Sequence, residues 1–158
     1  MSLLGSYVST KDDRGRFLLP TAIFREVNPA SGGRYIVNRS TDKCVNLYPG
    51  NVWDVFKAKL DKINTFDPRK RALVRYFLGS ATEIMLDSKN RLLIPQQLAD
   101  YAQLEKELLI VSVAPVIEIW NPNLYNQAME AVSATNVEDI TQIANDIFDN
   151  GKIFEELS

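Results

Sequence analysis

The chain contains no histidine and a single cysteine, Cys44. The first absence removes the Ser-His-Asp triad, the imidazole general base and the histidine metal ligand. The second removes a disulfide framework and any Cys-x-x-Cys zinc or redox pair. Long apolar runs are missing too. The longest, Leu108 to Ile117, is broken by Ser112 and Pro115 and falls far short of the roughly 20 residues that span a bilayer. Met1 to Gly5 has neither a basic stretch nor an apolar core, so no secretory signal is expected. The expectation is a soluble cytoplasmic protein without disulfides, cofactor, metal or membrane partner.

What is present is ordinary in bulk. The 158 residues are 46% apolar and 24% charged, enough to bury a core without staples. No low-complexity segment occurs. The formal net charge is -2, which taken alone speaks against a nucleic-acid partner. The distribution says otherwise. Residues 1–91 hold 16 Lys/Arg against nine Asp/Glu, a net of +7. Residues 92–158 hold two Lys/Arg (Lys106 and Lys152) against 11 Asp/Glu, a net of -9. Such asymmetry fits a nucleic-acid face on one side, and equally two surfaces that attract each other between subunits.

A repeat organises the chain. Asp12-Asp13-Arg14-Gly15-Arg16-Phe17-Leu18-Leu19-Pro20 aligns with Asp87-Ser88-Lys89-Asn90-Arg91-Leu92-Leu93-Ile94-Pro95 at a constant offset of 75. Seven of the nine positions agree in chemical type. Val45-Asn46-Leu47-Tyr48 resembles Ile117-Glu118-Ile119-Trp120 at an offset of 72, as a shorter second hairpin requires. Two diverged copies of one unit account for this.

Each copy reads as strand, basic turn, strand, short helix, hairpin and helix. In the first, Leu3 to Thr10 is a strand, Lys11 to Gly15 a turn, and Phe17 to Leu19 a short strand. Pro20 suits the first turn of a helix. Arg34 to Asn38 and Cys44 to Tyr48 form a hairpin that Pro49-Gly50 breaks. Val52, Trp53, Phe56, Leu60 and Ile63 then recur at helical spacing. In the second copy Ala81 to Leu86 and Leu92 to Ile94 are strands. Pro95 opens a helix to about Gln103, and Glu107 to Ser112 with Val116 to Trp120 make the hairpin. Pro122 starts a helix through Val132. Pro68 to Phe77 reads as a basic helix. Val137 to Phe148 reads as an amphipathic one, ended by Gly151. The organisation expected is a first repeat over 1–66, a connecting helix over 67–77, a second repeat over 78–133 and an acidic helix over 134–158.

The basic turns are the candidate site. Lys11, Arg14 and Arg16 crowd the first, and Lys89 and Arg91 stand at the matching places in the second. Cations in a turn between strands can reach phosphates, and arginine can read guanine edges. Asp12 and Asp87 each precede an arginine by four positions, so each carboxylate can hold that guanidinium in a bidentate pose. Arg16 and Arg91 are therefore either oriented for DNA or engaged in structural ion pairs. Arg14 and Lys89 lack such a partner and are better placed for free contact. The Arg69, Lys70, Arg71, Arg75 run reads either as a DNA-side face or as an intersubunit partner for the acidic end. Cys44 reads as an inert thiol, and Trp53 and Trp120 as packing residues.

Asp-x-x-x-Arg in a turn, then three apolar residues and Pro, twice in one chain, resembles the MraZ family of the AbrB/SpoVT-like group. Leu4-Gly5-Ser6-Tyr7, Leu47-Tyr48-Pro49, Ile94-Pro95-Gln96-Gln97-Leu98, Tyr101-Ala102 and Ile117-Glu118-Ile119-Trp120 add to the likeness, which covers about Leu4 to Val132. The resemblance implies an α+β fold: a swapped-hairpin (double-split) β-barrel from two tandem repeats, flanked by helices. It implies a DNA-binding transcriptional regulator, here a repressor of the division and cell-wall gene cluster. Such a protein binds repeated promoter boxes on double-stranded DNA as a homo-oligomeric ring, at the nucleoid. Its motif positions are Asp12, Arg14, Arg16, Asp87, Lys89 and Arg91. Departures are Asn90 in place of the usual Gly, Asp13 in the first turn, and a spacing that assigns no role to Arg25. The alternative is an oligomeric interaction module that does not bind DNA. Catalysis is not expected, because arginine beside each aspartate keeps it ionised and a poor proton donor.

Overall fold

The computed structural model describes residues 5–113 and 115–134. The chain divides into two compact units, Met1–Leu124 and Tyr125–Ser158. The acidic segment expected to form the last helix lies outside the described residues, as do Leu3 and Leu4 of the expected first strand.

The first repeat runs β1 (Ser6–Thr10), β2 (Arg16–Leu18), α1 (Thr21–Ser31), β3 (Arg34–Arg39), β4 (Val45–Pro49) and α2 (Gly50–Asp61). Helix α3 (Pro68–Gly79) follows. The second repeat runs β5 (Thr82–Met85), β6 (Arg91–Leu93), α4 (Gln96–Tyr101), β7 (Glu107–Val113), β8 (Val116–Trp120) and α5 (Pro122–Ala134). The fold is α+β, and all of its strand pairs are antiparallel.

The repeats are interleaved rather than set side by side. Six strands form one sheet in the order β1-β7-β8-β4-β3-β5, and β2 pairs with β6 in a second. Strand β1 of the first repeat thus adds to the second repeat's hairpin, with Tyr7 opposite Ile110. Strand β5 of the second adds to the first repeat's hairpin, with Ile84 opposite Tyr35. The hairpins meet through β4 and β8, where Asn46 lies opposite Glu118. In the small sheet Phe17 lies opposite Leu92. Both of these last pairs join a residue to its own counterpart in the repeat, so an approximate two-fold axis passes through them.

Burial follows from that arrangement. Phe17 and Leu92, at the centre of the small sheet, are 1% and 0% exposed. They join Ile23, Val27, Tyr35, Val37, Val45, Leu47, Leu98, Leu108, Ile110, Ile117 and Ile119 in one core fed by both repeats. Fully burying each such side chain contributes about 1.5–3 kcal/mol. Strands β3 and β4 are covered on both faces, as strands without polar alternation are. Their second face carries Ile36 and Tyr48, which cluster with Trp53 of α2, and Val52, Phe56 and Leu78 pack against this group. Trp53 therefore packs a core, with its ring edge-on to Tyr48 at 5.1 Å. Cys44 is buried, and desolvation pushes its thiol up to about 12.

Several boundaries differ from the sequence expectation, for local reasons. Pro20, Pro49 and Pro95 each precede their helix, with ψ near 140° (141°, 143° and 140°). Their carbonyls accept helical bonds, from Phe24 N–H to Pro20 and from Ala99 N–H to Pro95. Pro49-Gly50 ends the hairpin as expected, and α2 begins there at once. Glycine fits at position 50 because a Cβ there would stand 3.1 Å from the Arg34 carbonyl oxygen. Pro68 does occupy the first turn, behind Asp67, whose carboxylate accepts from Arg69 N–H at 2.9 Å. Helix α3 runs on to Gly79, and α4 stops at Tyr101 before Gln103 adopts a φ of 52°.

Candidate nucleic-acid interface

Each basic turn is built around one carboxylate. In the first, Asp12 Oδ1 accepts from the backbone N–H of Arg14 and of Arg16, both at 2.9 Å. Asp12 Oδ2 accepts from Arg16 Nε at 2.9 Å. The backbone closes the turn, with Asp12 N–H bonded to Arg16 O at 2.8 Å and Gly15 N–H to Asp12 O at 3.0 Å. The second turn repeats this atom for atom. Asp87 Oδ1 accepts from Lys89 N–H at 2.8 Å and Arg91 N–H at 2.9 Å, and Asp87 Oδ2 from Arg91 Nε at 2.8 Å. Asp87 N–H bonds Arg91 O, and Asn90 N–H bonds Asp87 O.

This geometry needs a left-handed residue just before the arginine. Gly15 supplies it at φ 81° and Asn90 at φ 61°. Asparagine is among the few side-chain-bearing residues that adopt this conformation readily, so the departure at position 90 preserves the turn.

The antiparallel β2–β6 ladder is only three residues long and carries one turn at each end, before Arg16 opposite Leu93 and before Arg91 opposite Leu18, and one side chain links the two turns directly. Arg91 Nη1 donates to Asp12 Oδ2 at 3.4 Å. Both carboxyls are held below the ordinary aspartate range. At Asp87 the Arg91 N–H is the largest influence, joined by the Lys89 N–H and the guanidinium. At Asp12 desolvation is the largest single influence and pushes upward. It is outweighed by the Arg16 and Arg14 N–H groups and the Arg16 guanidinium together.

The sequence-predicted cations separate into three kinds. Arg16 and Arg91 are half-buried and ion-paired. Arg14 and Lys89 are exposed, and neither side chain makes a hydrogen bond or ion pair among the described residues. Lys11 is half-buried, and desolvation lowers its amine from the usual lysine value while Asp100 raises it. It is therefore not a third free cation of the first turn.

Two further residues at this place escaped the sequence reading. Leu18 and Leu93 are 53% and 52% exposed, at equivalent positions one step beyond the buried Phe17 and Leu92. The signal was there in the period-two alternation of a strand. A shallow cavity of about 290 Å³ lies beside Leu18, lined by Ser9, Asp12, Arg16 and Arg91 among others.

Helix α3 carries the other basic run and buries no residue. Arg71 donates to the Thr65 carbonyl at 3.0 Å. The side chains of Arg69, Lys70 and Arg75 have no such partner among the described residues. Among the described residues, no group of three or more His, Cys, Asp or Glu could hold a metal. No described helix is long and apolar enough to cross a membrane.

Comparison with known proteins converges on one family. Residues 77–147, which include the second turn, match the model described as "MraZ protein, putative antitoxin-like". A protein of Desulfitobacterium hafniense named "Transcriptional regulator MraZ" is 37% identical over 143 residues, covering 89% of this chain and 97% of its own. One of the same name from Caldicellulosiruptor saccharolyticus is 35% identical over 140 residues, covering 89% and 94%. Another, from Flavobacterium psychrophilum, is 29% identical over 150 residues, covering 94% and 93%.

Proposed function

The chain belongs to the MraZ family, and on that footing we propose that it is a transcriptional regulator that binds double-stranded DNA through its paired basic turns. The observation that carries this reading is the duplication of one rigid turn around Asp12 and Asp87. Each copy leaves one cation, Arg14 or Lys89, exposed and unengaged among the described residues. Arg16 and Arg91 add fixed charge behind them, and Asp12 and Asp87 orient the turns. Lys11 contributes from the edge.

One chain offers few phosphate contacts, so it binds weakly alone. Assembly of several chains into a ring presents many turns at high effective concentration to spaced promoter boxes. On this reading the protein works at the nucleoid of the cytoplasm and represses the division and cell-wall gene cluster. The reciprocal exchange of β1 and β5 supports a swapped-hairpin barrel made from repeats 1–66 and 78–133. Residues 67–77 connect them, and the acidic residues 134–158 add an oligomer contact, with α3 as its basic counterpart. Neither catalysis nor a cofactor enters.

The exposed pair Leu18 and Leu93 favours one rival, an oligomeric interaction module that does not bind DNA. A gel shift with the DNA upstream of the protein's own gene, run over a salt series, separates the two. The DNA reading expects a retarded complex whose log affinity falls with log salt by about 0.9 per phosphate contact. Absence of a complex at low salt would sink it.

A further inference from the structure

A second concave site lies away from the turns, at the junction of β3, the α3–β5 connection and α4. It encloses about 350 Å³ and is lined by Arg39, Ser80, Thr82, Gln97 and Tyr101, with Pro95 and Leu98 beneath. Arg39 is the feature that asks for an explanation. Its guanidinium stacks on Tyr76 at 4.6 Å and lies 6.0 Å from the Tyr101 ring centre. Stacking occupies the flat face and leaves the N–H groups of the edge unspent. The Arg39 Nε is buried and meets no acceptor among the described residues. No carboxylate pairs with Arg39 among the described residues, although the chain's other half-buried arginines of the small and large sheets, Arg16, Arg34 and Arg91, are all paired. The guanidinium charge at the cavity wall is thus left without a counter-ion, and a partly desolvated unpaired charge is unfavourable.

The surroundings hold the guanidinium still and supply further donors. Tyr76 and Tyr101 both donate to the Ser40 carbonyl, at 2.5 and 2.9 Å, which fixes the two rings. The Ser80 hydroxyl accepts from Arg39 N–H at 3.0 Å. Thr82 and Gln97 are exposed and bring a hydroxyl and an amide. No acidic residue lines the cavity. Lys43 stands nearby, its amine 4.4 Å from the Tyr101 ring centre.

We infer that this cavity is a binding site for a small oxyanion, a phosphate or a carboxylate, received by the Arg39 guanidinium edge with Gln97 and Thr82 beside it. The shape favours a small molecule over a strand of nucleic acid, because the arginine is recessed among four elements. Two of its walls, Thr82 in β5 and Pro95 after β6, flank the second basic turn in sequence. An occupied site therefore braces both arms of that turn. The inference stands on Arg39 and does not depend on DNA being the ligand of the turns.

The test is titration of the full chain with inorganic phosphate and, separately, succinate, followed by ¹H–¹⁵N amide shifts and calorimetry. The expected result is saturable binding of at least one anion, with shifts at Ser80, Thr82 and Tyr101. The arm that saturates at the lower concentration tells phosphate from carboxylate. R39Q weakens it by about tenfold or more, as loss of a charge-assisted contact does. Because R39Q also alters the stack on Tyr76, Q97E is the second variant. It changes an exposed side chain and repels an anion, so binding falls several-fold with the fold intact. Saturation by neither anion below about 10 mM overturns the inference. So does undiminished binding by Q97E. Displacement of the bound anion by duplex DNA of arbitrary sequence also overturns it, by showing that the site takes nucleic-acid phosphate.

Discussion

Arg91 reaches out of its own turn to Asp12 of the other, with Nη1 3.4 Å from Oδ2. Among the described residues no matching bond runs from Arg16 to Asp87. Asp12 thus serves both turns, and Asp87 serves one. The first prediction is an asymmetry. D12N perturbs the amide signals of both turns, whereas D87N perturbs the second turn alone. ¹H–¹⁵N spectra of the two variants check this, and equal, confined changes would remove the link.

The second prediction concerns acid. Both aspartates have folded-state values below the ordinary carboxylate value near 3.9. The unfolded chain therefore takes up protons first as pH falls. The stabilisation is complete above the unfolded value and is lost as pH falls through the lower folded ones. Thermal midpoints of the native chain fall below about pH 4, and those of D12N/D87N fall less. Parallel curves would refute the assignment.

Arg14 and Lys89 have no side-chain partner among the described residues, and the third prediction follows from that. R14A/K89A keeps its thermal midpoint, within the small range usual for exposed substitutions. Its affinity for promoter DNA falls, and its salt slope shrinks by about 0.9 for each contact removed. Filter binding at several salt concentrations reads both. An unchanged slope would move the DNA contact elsewhere.

The fourth prediction tests the backbone of the turns. G15A forces a Cβ onto φ 81° and destabilises by about 1 kcal/mol or more. N90G relaxes the same position of the second turn and leaves stability level or slightly raised. Chemical unfolding of both variants provides the comparison, and tolerance of G15A would contradict the turn geometry.

A fifth concerns the joint between the repeats. Phe17 is 1% exposed and lies opposite Leu92. F17A costs about 3–5 kcal/mol through lost burial and a residual cavity. Residues 5–124 still unfold in one step, because the core has members from both repeats. Two separated transitions within that span would show independent halves.

The sequence disclosed much of this because duplication is visible locally. The offset of 75 located both turns, and Asp12 with Arg16 and Asp87 with Arg91 lie close enough in the chain for their pairing to be read from spacing. Helix existence was legible from apolar period, but helix starts were misplaced by one residue at Pro20 and Pro95. Proline is compatible with both the residue before a helix and the first residue within it, and only a capping side chain such as Asp67 decides between them. Long-range relations were not legible. The spacing of Arg91 and Asp12 carries no hint of a bond across 79 residues. The unsatisfied edge of Arg39 appears only once Tyr76 and Tyr101 are brought against it.

The exchange of β1 and β5 has a consequence for how the protein depends on its own abundance. Each repeat takes a strand from the other to complete its hairpin sheet. Two separate chains of one repeat each would have to meet before either was finished, and their folding would follow mass action and fade on dilution. Covalent tandem joining makes that meeting intramolecular. The sheet then closes at the same strength however few copies a cell holds. Joining also releases the halves from being identical. Arg14 could become Lys89, and Gly15 could become Asn90, without any second chain having to match.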